Sequence, residues 1–427
     1  MKKILVVSLF CIASLLLFSN GCFNASPKQE NQSASLQDGL ETSSKDPIVI
    51  LISIDGYRAD YLDMYTSPNL SQLAVDGVRA KSLIPSHPTK TVPNHYTIVT
   101  GLYPSNHGIV ANTMYDPVFD ETFSLSKREE VENARWWGGE PLWVTAEQQG
   151  VRAGTFFWPG SAAPIKDTRP TFWKRYDGSV PGNTRVDEVL SWLDLEEAMR
   201  PRFITLYFSD VDSQGHQHGI DSEAVESAIS RVDRYLGRLF KGVADRKLTD
   251  RVNYIIVSDH GMVNTSEEKI IFLDDYVNRS DFYLTESSPI AMMNTKNGKF
   301  DEVFDGLKGA HSAMKVYHAS DYPTNWHWNN HRRIPQMVAV ADEGWSIVSS
   351  REAYLNGDET IPGGTHGYDR FLPSMQALFV AQGPAFKEGA TVAAFENIHI
   401  YPLITHLLNL EPAKTDGSFD AVHHLLK

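Results

Sequence analysis

Pro47-Ile48-Val49-Ile50-Leu51-Ile52-Ser53-Ile54-Asp55-Gly56-Tyr57 is the stretch on which the fold turns. From Ile48 to Ile54 it is apolar and rich in β-branched residues, and only Ser53 interrupts it. With no alternation of apolar and polar positions, it predicts a strand covered on both faces, as in a parallel sheet. The run ends on a carboxylate. The same format recurs at Phe203 to Phe208, ahead of Asp212, and at Val252 to Val257, ahead of Asp259. Further strands are predicted at Gln336 to Ala341 and Ala377 to Ala381. Helical patterns lie between: Pro68 to Gly77 behind Ser67, Ser222 to Lys241, and Ile398 to Leu408. Strand and helix alternating in this way predict an α/β fold with a doubly wound, mostly parallel sheet. Between His260 and His366, the signals at Ile290 to Asn294, Phe300 to Ala310 and Met314 to His318 predict a smaller α+β insertion near the active site, about residues 285–350.

Asp55, Asp212 and Asp259 all fall at or just past the carboxyl ends of predicted strands, where open α/β sheets place their ligands. Three histidines accompany them. His216 stands four residues after Asp212, one helical turn away, and His260 follows Asp259 directly, with Gly261 able to turn both inward. His366 lies in Gly-Gly-Thr-His-Gly-Tyr-Asp. Each pair alone is more often a cap or a surface feature than a metal site. Together, imidazoles and carboxylates suit two zinc ions better than calcium or magnesium. Thr91 is the hydroxyl among them, read as the N-cap of a short helix from Asn94 to Thr100; an alkoxide or phosphate there would meet free backbone N–H groups. Ser86 and Thr89 compete for the same role. His107, His218 and His331 are read as structural or supporting residues.

The stretches ISIDGYRADYLD, PTKTVPNHYTIVTGLYPSNHGIVANTMYD, WWGGEPLWV, DSQGHQHG, VSDHGM and THGYD, in this order, make the chain resemble the nucleotide pyrophosphatase/phosphodiesterase family of the alkaline phosphatase superfamily. The resemblance runs from Ile48 to the C-terminus and implies an alkaline phosphatase-like fold. It also implies one zinc ion on Asp212, His216 and His366, and a second on Asp55, Asp259, His260 and the nucleophile Thr91. Asn112 matches a residue that binds a phosphoryl oxygen, and Tyr176 and Tyr207 match residues that hold the nucleoside. Val92 stands where the family usually has a Phe that stacks on the base, and Arg370 where Asn is frequent, at a position that reads as peripheral. The implied reaction is hydrolysis of nucleotide diesters and anhydrides to nucleoside 5′-monophosphates through a covalent threonine intermediate. A choline-type phospholipid diesterase and a phosphate monoesterase are the alternatives. For the monoesterase, Lys90, Lys166 or Arg169 would have to supply a further cation.

The 427 residues carry a net charge of −14, with 42% hydrophobic and 22% charged residues. This balance repels nucleic acid polymers, leaves small metal-chelated phosphodiesters as partners, and points to no protein partner. Residues 1–21 read as an export signal, with Lys2 and Lys3 ahead of the apolar Ile4 to Phe18. Its removal takes the charge from −14 to −16, because two lysines and no acidic residue are lost. Cys22 follows Gly21 as a lipidated cysteine would, and residues 22–46 read as a flexible tether to a catalytic domain spanning 47–427. These features predict an exported enzyme, periplasmic or on the outer surface, anchored by lipid to the membrane.

Overall fold

A computed structural model describes residues 46–427; the export signal, Cys22 and the tether up to residue 45 lie outside the described residues. An eight-stranded mixed sheet forms the centre. Its order is Ala390–Val392, Val78–Ala80, Phe379–Gln382, Val252–Val257, Ile48–Ile54, Phe203–Phe208, Ala153–Phe156, Phe172–Trp173. Ile52 sits opposite Leu206 on one side and Ile256 on the other, both in parallel register. Phe379–Gln382 runs antiparallel to both of its neighbours.

Every residue of the Ile48–Ile54 strand is buried. Val49 and Leu51 enter one core cluster, while Ile48, Ile50, Ile52 and Ile54 enter another on the opposite face. A strand with no polar face therefore lies between two apolar layers. Each fully buried aliphatic side chain there is worth about 1.5–3 kcal/mol. The Glu223–Asp245 helix covers the second face with Val225, Ile229, Val232, Leu236, Leu239 and Val243, a run at helical spacing. Ser222 caps it, its Oγ accepting the Val225 N–H at 3.3 Å. Because the three central strands are parallel, their carboxyl ends meet at one edge, and Asp55, Asp212 and Asp259 emerge together there.

Two local readings need correction. The helix after Lys90 spans Thr91–Thr100, so Thr91 opens it rather than capping a later start, and extended Lys90 makes no side-chain cap bond. Pro93 is tolerated in the first turn because its missing N–H would have no intrahelical partner. Arg370, read as peripheral, is fully buried. A guanidinium in a turn after THGYD carries no periodicity that would mark it as internal.

A separate antiparallel sheet has the order Phe282–Glu286, Ile290–Thr295, Met337–Ala341, Met314–His318. The Phe300–Leu307 helix joins it, and Met293, Val303, Leu307, Met337 and Ala339 share a third core cluster. The strand predicted at Gln336 to Ala341 belongs to this sheet and not to the central one.

Candidate metal centre and catalytic site

The six predicted ligands gather into two groups. Asp55, Asp259 and His260 form one and Asp212, His216 and His366 the other, each with its donor atoms within 4.8 Å of one another. Gly56, with φ of +69°, turns the chain out of the central strand, and a Cβ there would lie 3.0 Å from Asp212. The groups are linked through the main chain, Asp212 N–H donating to Asp55 O at 3.1 Å. Side chains link them too, the His260 and His366 rings stacking at 3.5 Å.

All three imidazoles are held in one tautomer. Nδ1–H of His216 donates to Gly364 O at 2.8 Å, that of His260 to Gly261 O at 2.9 Å, and that of His366 to Thr89 O at 2.7 Å. With Nδ1 held in this way each ring turns its Nε2 inward, the arrangement typical of metal-bound histidine. His260 Nε2 lies 2.9 Å from Asp259 Oδ2, and His216 Nε2 lies 3.3 Å from Asp212 Oδ1. A proton or a metal ion between nitrogen and carboxylate oxygen must join each of these pairs. Asp55 Oδ1, Asp212 Oδ1 and Asp259 Oδ2 are buried without any hydrogen-bond partner, a cost that metal coordination would remove. Burial and the nearby carboxylates of Asp259 and Asp212 push Asp55 well above the usual carboxylate range. The residues present fit divalent metal, and the mixture of nitrogen and oxygen donors favours zinc.

Thr91 Oγ1 lies 3.3 Å from His260 Nε2 and so adjoins the buried group. Thr89 Oγ1 instead donates to Tyr368 O at 3.0 Å, and Ser86 Oγ donates to Asn397 Oδ1 at 3.0 Å. Both competitors are therefore spoken for. Asn112 Oδ1 accepts the Val92 N–H at 2.9 Å, which leaves its amide N–H groups to donate near Thr91. Tyr207 OH donates to Asp55 Oδ2 at 2.6 Å. This tyrosine holds a ligand carboxylate as well as lining the adjoining cavity.

That cavity, about 310 Å³, runs from Thr91 and Val92 past Phe157, Trp158, Tyr207 and Trp137 to Tyr176 and Leu125. Val92 is buried, whereas Tyr176 is half-exposed, edge-on to Phe157 at 5.1 Å. Arg128, Lys174 and Arg175 line the cavity against the single acid Glu132, which pairs with Arg175 at 2.6 Å. Lys166 pairs with Glu140, and Arg169 donates to Ala162 O and lies over Trp173, so both are engaged and neither lines the cavity. Lys90 turns to the smaller sheet, donating to Ser288 O at 2.9 Å and lying 3.5 Å from Glu286.

Sequence reasoning missed several supporting residues. His95 Nδ1–H donates to Thr91 O at 2.9 Å and lies 3.3 Å from Asp259 Oδ2, while its Nε2 accepts from Ser53 Oγ at 2.8 Å. His95 thus bridges the helix that opens with Thr91, a ligand carboxylate and the central strand. Ser258 Oγ contacts both Asp259 Oδ1 and His260 O. The available signals were weak: His95 stands one helical turn after Thr91, and Ser53 is the polar residue inside an apolar strand.

A profile of the family described as "Type I phosphodiesterase / nucleotide pyrophosphatase" matches residues 49–369. The chain belongs to this family. It is 41% identical over 392 residues to ectonucleotide pyrophosphatase/phosphodiesterase family member 3 of Bos taurus, covering 89% of this chain and 44% of that protein. It is 40% identical over 410 residues to a venom phosphodiesterase of Naja atra, covering 94% of this chain and 49% of that protein. The chain thus spans about half the length of these curated relatives. Murine ectonucleotide pyrophosphatase/phosphodiesterase 5, solved as an inactive variant in complex with AMP, superposes with a TM-score of 0.85 at 38% identity, covering 90% of this chain and all of that one.

Proposed function

We propose that this chain is a two-zinc phosphodiesterase and nucleotide pyrophosphatase that releases nucleoside 5′-monophosphates, with Thr91 as its nucleophile. The observation that supports it most is the pair of three-residue ligand groups with inward Nε2 atoms and partnerless carboxylate oxygens, with Thr91 Oγ1 beside one group. Asp55, Asp259, His260 and Thr91 would hold one ion, and Asp212, His216 and His366 the other. Bound there, zinc would supply the positive charge and the lowered hydroxyl pKa that a free threonine lacks. Thr91 Oγ1 attacks phosphorus, the bond to the leaving oxygen breaks, and water later releases the phosphoryl group from the threonine. Asn112 N–H groups and the Thr91 backbone N–H stabilise the non-bridging oxygens, the Val92 N–H being taken by Asn112 Oδ1. Val92, Tyr176 and Tyr207 flank the nucleoside.

The aromatic cavity could also enclose a quaternary ammonium, as a choline-type phospholipid diester would require. Arg175 is paired with Glu132 and Lys174 with Glu188, so Arg128 is the lining cation without an acid partner among the described residues, and it works against a cationic headgroup and favours the nucleotide. A monoester dianion lacks its extra cation, since Lys166 and Arg169 are engaged elsewhere. We assign residues 47–427 as the catalytic domain with the insertion near 285–350, and we infer export, with lipid attachment at Cys22. Proteins named ectonucleotide pyrophosphatase and venom phosphodiesterase among the relatives support export. Turnover of bis-nitrophenyl phosphate, mono-nitrophenyl phosphate, a dinucleotide and glycerophosphocholine tests the assignment. The diester and the dinucleotide are expected to be fastest, and faster monoester or choline-ester hydrolysis would overturn it. Mass spectrometry of the mature N-terminus tests the lipid.

A further inference from the structure

Behind the Thr91 loop lies a second set of groups of which only His366 has a part in the proposed chemistry. Two segments grip residues 86–90. On one side, His366 Nδ1–H donates to Thr89 O at 2.7 Å, and Thr89 Oγ1 donates to Tyr368 O at 3.0 Å. On the other, Asn397 accepts from Ser86 Oγ at 3.0 Å and donates to Asn94 Oδ1 at 2.9 Å, and that same oxygen accepts the Ser86 N–H at 2.7 Å. Arg370 ties the two segments together. It stands four residues after His366 and forms an ion pair with Glu396, the neighbour of Asn397. Its second contact is a donation to Asn325 O at 3.3 Å, while Glu396 also accepts from Tyr103 OH at 2.9 Å.

The loop is held from its other face by aromatic rings. His87 is fully buried, lies flat on Trp326 at 3.9 Å and edge-on to Trp328 at 5.3 Å, and neither of its ring nitrogens has a hydrogen-bond partner. Nothing polar fixes this ring, so its position follows from the segment 325–328 that carries the tryptophans. Arg370 is bonded to that segment too, through Asn325 O. One fully buried guanidinium thus joins three pieces of chain that surround the loop. A buried ion pair adds little net stability, because desolvation offsets the attraction, and its best-attested use is to select one arrangement over others. Small displacements of a reacting atom, of about 1 Å, are enough to cost about a hundredfold in rate.

We propose that Arg370, through its ion pair with Glu396, is a positioning residue that holds loop 86–91 in the one arrangement where Thr91 Oγ1 meets the Asp55–Asp259–His260 group. The catalytic part of this proposal rests on Thr91 being the nucleophile; the structural part does not. The test compares wild type with Arg370→Met, Arg370→Lys and Glu396→Gln. In metal-free protein, hydrogen exchange of the amides of residues 86–95 is expected to quicken about tenfold or more in Arg370→Met, with the Val252–Val257 strand unchanged. With zinc restored, kcat on bis-nitrophenyl phosphate is expected to fall about 10–100-fold at a KM within about twofold. Glu396→Gln should follow Arg370→Met, and Arg370→Lys should recover part of the loss. If Arg370→Met does not fold, Trp326→Leu removes the ring under His87 and should quicken exchange in the same loop. Wild-type exchange and kcat in the folded variants, or a loss spread evenly over the whole protein, would overturn the positioning role. An active Thr91→Ala measured alongside would instead overturn the nucleophile assignment, and the metal-free exchange result would still decide what Arg370 does.

Discussion

The two ligand groups are made of the same residue types and yet are built differently. Asp55, Asp259 and His260 sit at the ends of parallel strands with side chains at 1%, 0% and 0% exposure, while Asp212 and His216 stand on the Asp210–His218 helix at 16% and 35%. The sheet fixes the first group through Gly56 N–H and Ser258 Oγ on Asp259, Tyr207 OH on Asp55, and His95 beside the carboxylate. The second group relies on helical spacing and one buried loop histidine, His366, and it opens to solvent through Asp212 and His216. A metal in the buried group should be bound more rigidly and exchange slowly. A metal in the open group should exchange readily.

The largest effect should come from Thr91, the proposed nucleophile, whose Oγ1 adjoins the buried group. Thr91→Ala is expected to cut kcat/KM by about a thousandfold or more, roughly 4 kcal/mol of transition-state stabilisation. Fold and zinc content should stay intact by calorimetry and metal analysis. Thr91→Ser should retain part of the rate, and Thr89→Ala should lose little.

Ligand substitutions probe the difference between the groups directly. Asp259→Asn should lose activity about a hundredfold or more and resist rescue by excess zinc, because its neighbours are fixed around the charge. His216→Gln should lose less and recover with added zinc. Equal behaviour in a zinc titration would break the comparison. Limited chelation should likewise release zinc in two phases, with His216→Gln accelerating only the faster one.

Burial by itself, without metal, can be separated from ligation at His107. This ring accepts the Ile109 N–H at Nδ1 and bonds Thr97 at Nε2, so the charged form would forfeit a hydrogen bond, and burial lowers its pKa to about 3. The folded pKa lies below the unfolded one, so the unfolded chain binds more protons between those values and stability falls as pH drops from about 6.5 toward about 3. At pH 5 this amounts to roughly 2 kcal/mol relative to pH 7. Urea unfolding of metal-free protein should show the stability gap between wild type and His107→Gln narrowing by about that much. A constant gap would mean that the ring is not buried neutral.

The smallest effect concerns the nucleoside cavity, which adjoins the buried group. Val92→Phe is expected to lower KM for a dinucleotide by up to about tenfold, within the 1–3 kcal/mol typical of stacking. KM for nitrophenyl esters should be nearly unchanged. Equal dinucleotide KM in the two proteins would mean that Phe157 or Trp158 already supplies the missing face.

Much of this site could be read in advance because parallel strands make their sequence explicit. A strand between two apolar layers is almost wholly apolar until it ends, so Asp55 after Ile54 and Asp259 just past Val257 stood out as candidate ligands, and spacing placed His216 with Asp212. The reading failed where position depends on contacts distant in sequence. Arg370 looked peripheral because its partners, Glu396 and Asn325, lie 26 and 45 residues away. His95 drew no reading of its own, and the contact of the Tyr207 hydroxyl with Asp55 has no sequence signal.

The amino-acid order by itself determined the class of sheet, the family, and the six candidate ligands that the structure gathers into two groups, because apolar continuity, helical periodicity and motif order are local properties of the chain. Tertiary structure alone decided that the ligands divide into a buried and an open group, that all three imidazoles turn Nε2 inward, and that Thr89, Ser86, Lys166 and Arg169 are occupied elsewhere. Those outcomes depend on which backbone carbonyl or carboxylate lies within about 3 Å of each side chain. That distance exists only once strands and loops far apart in sequence have closed on one another.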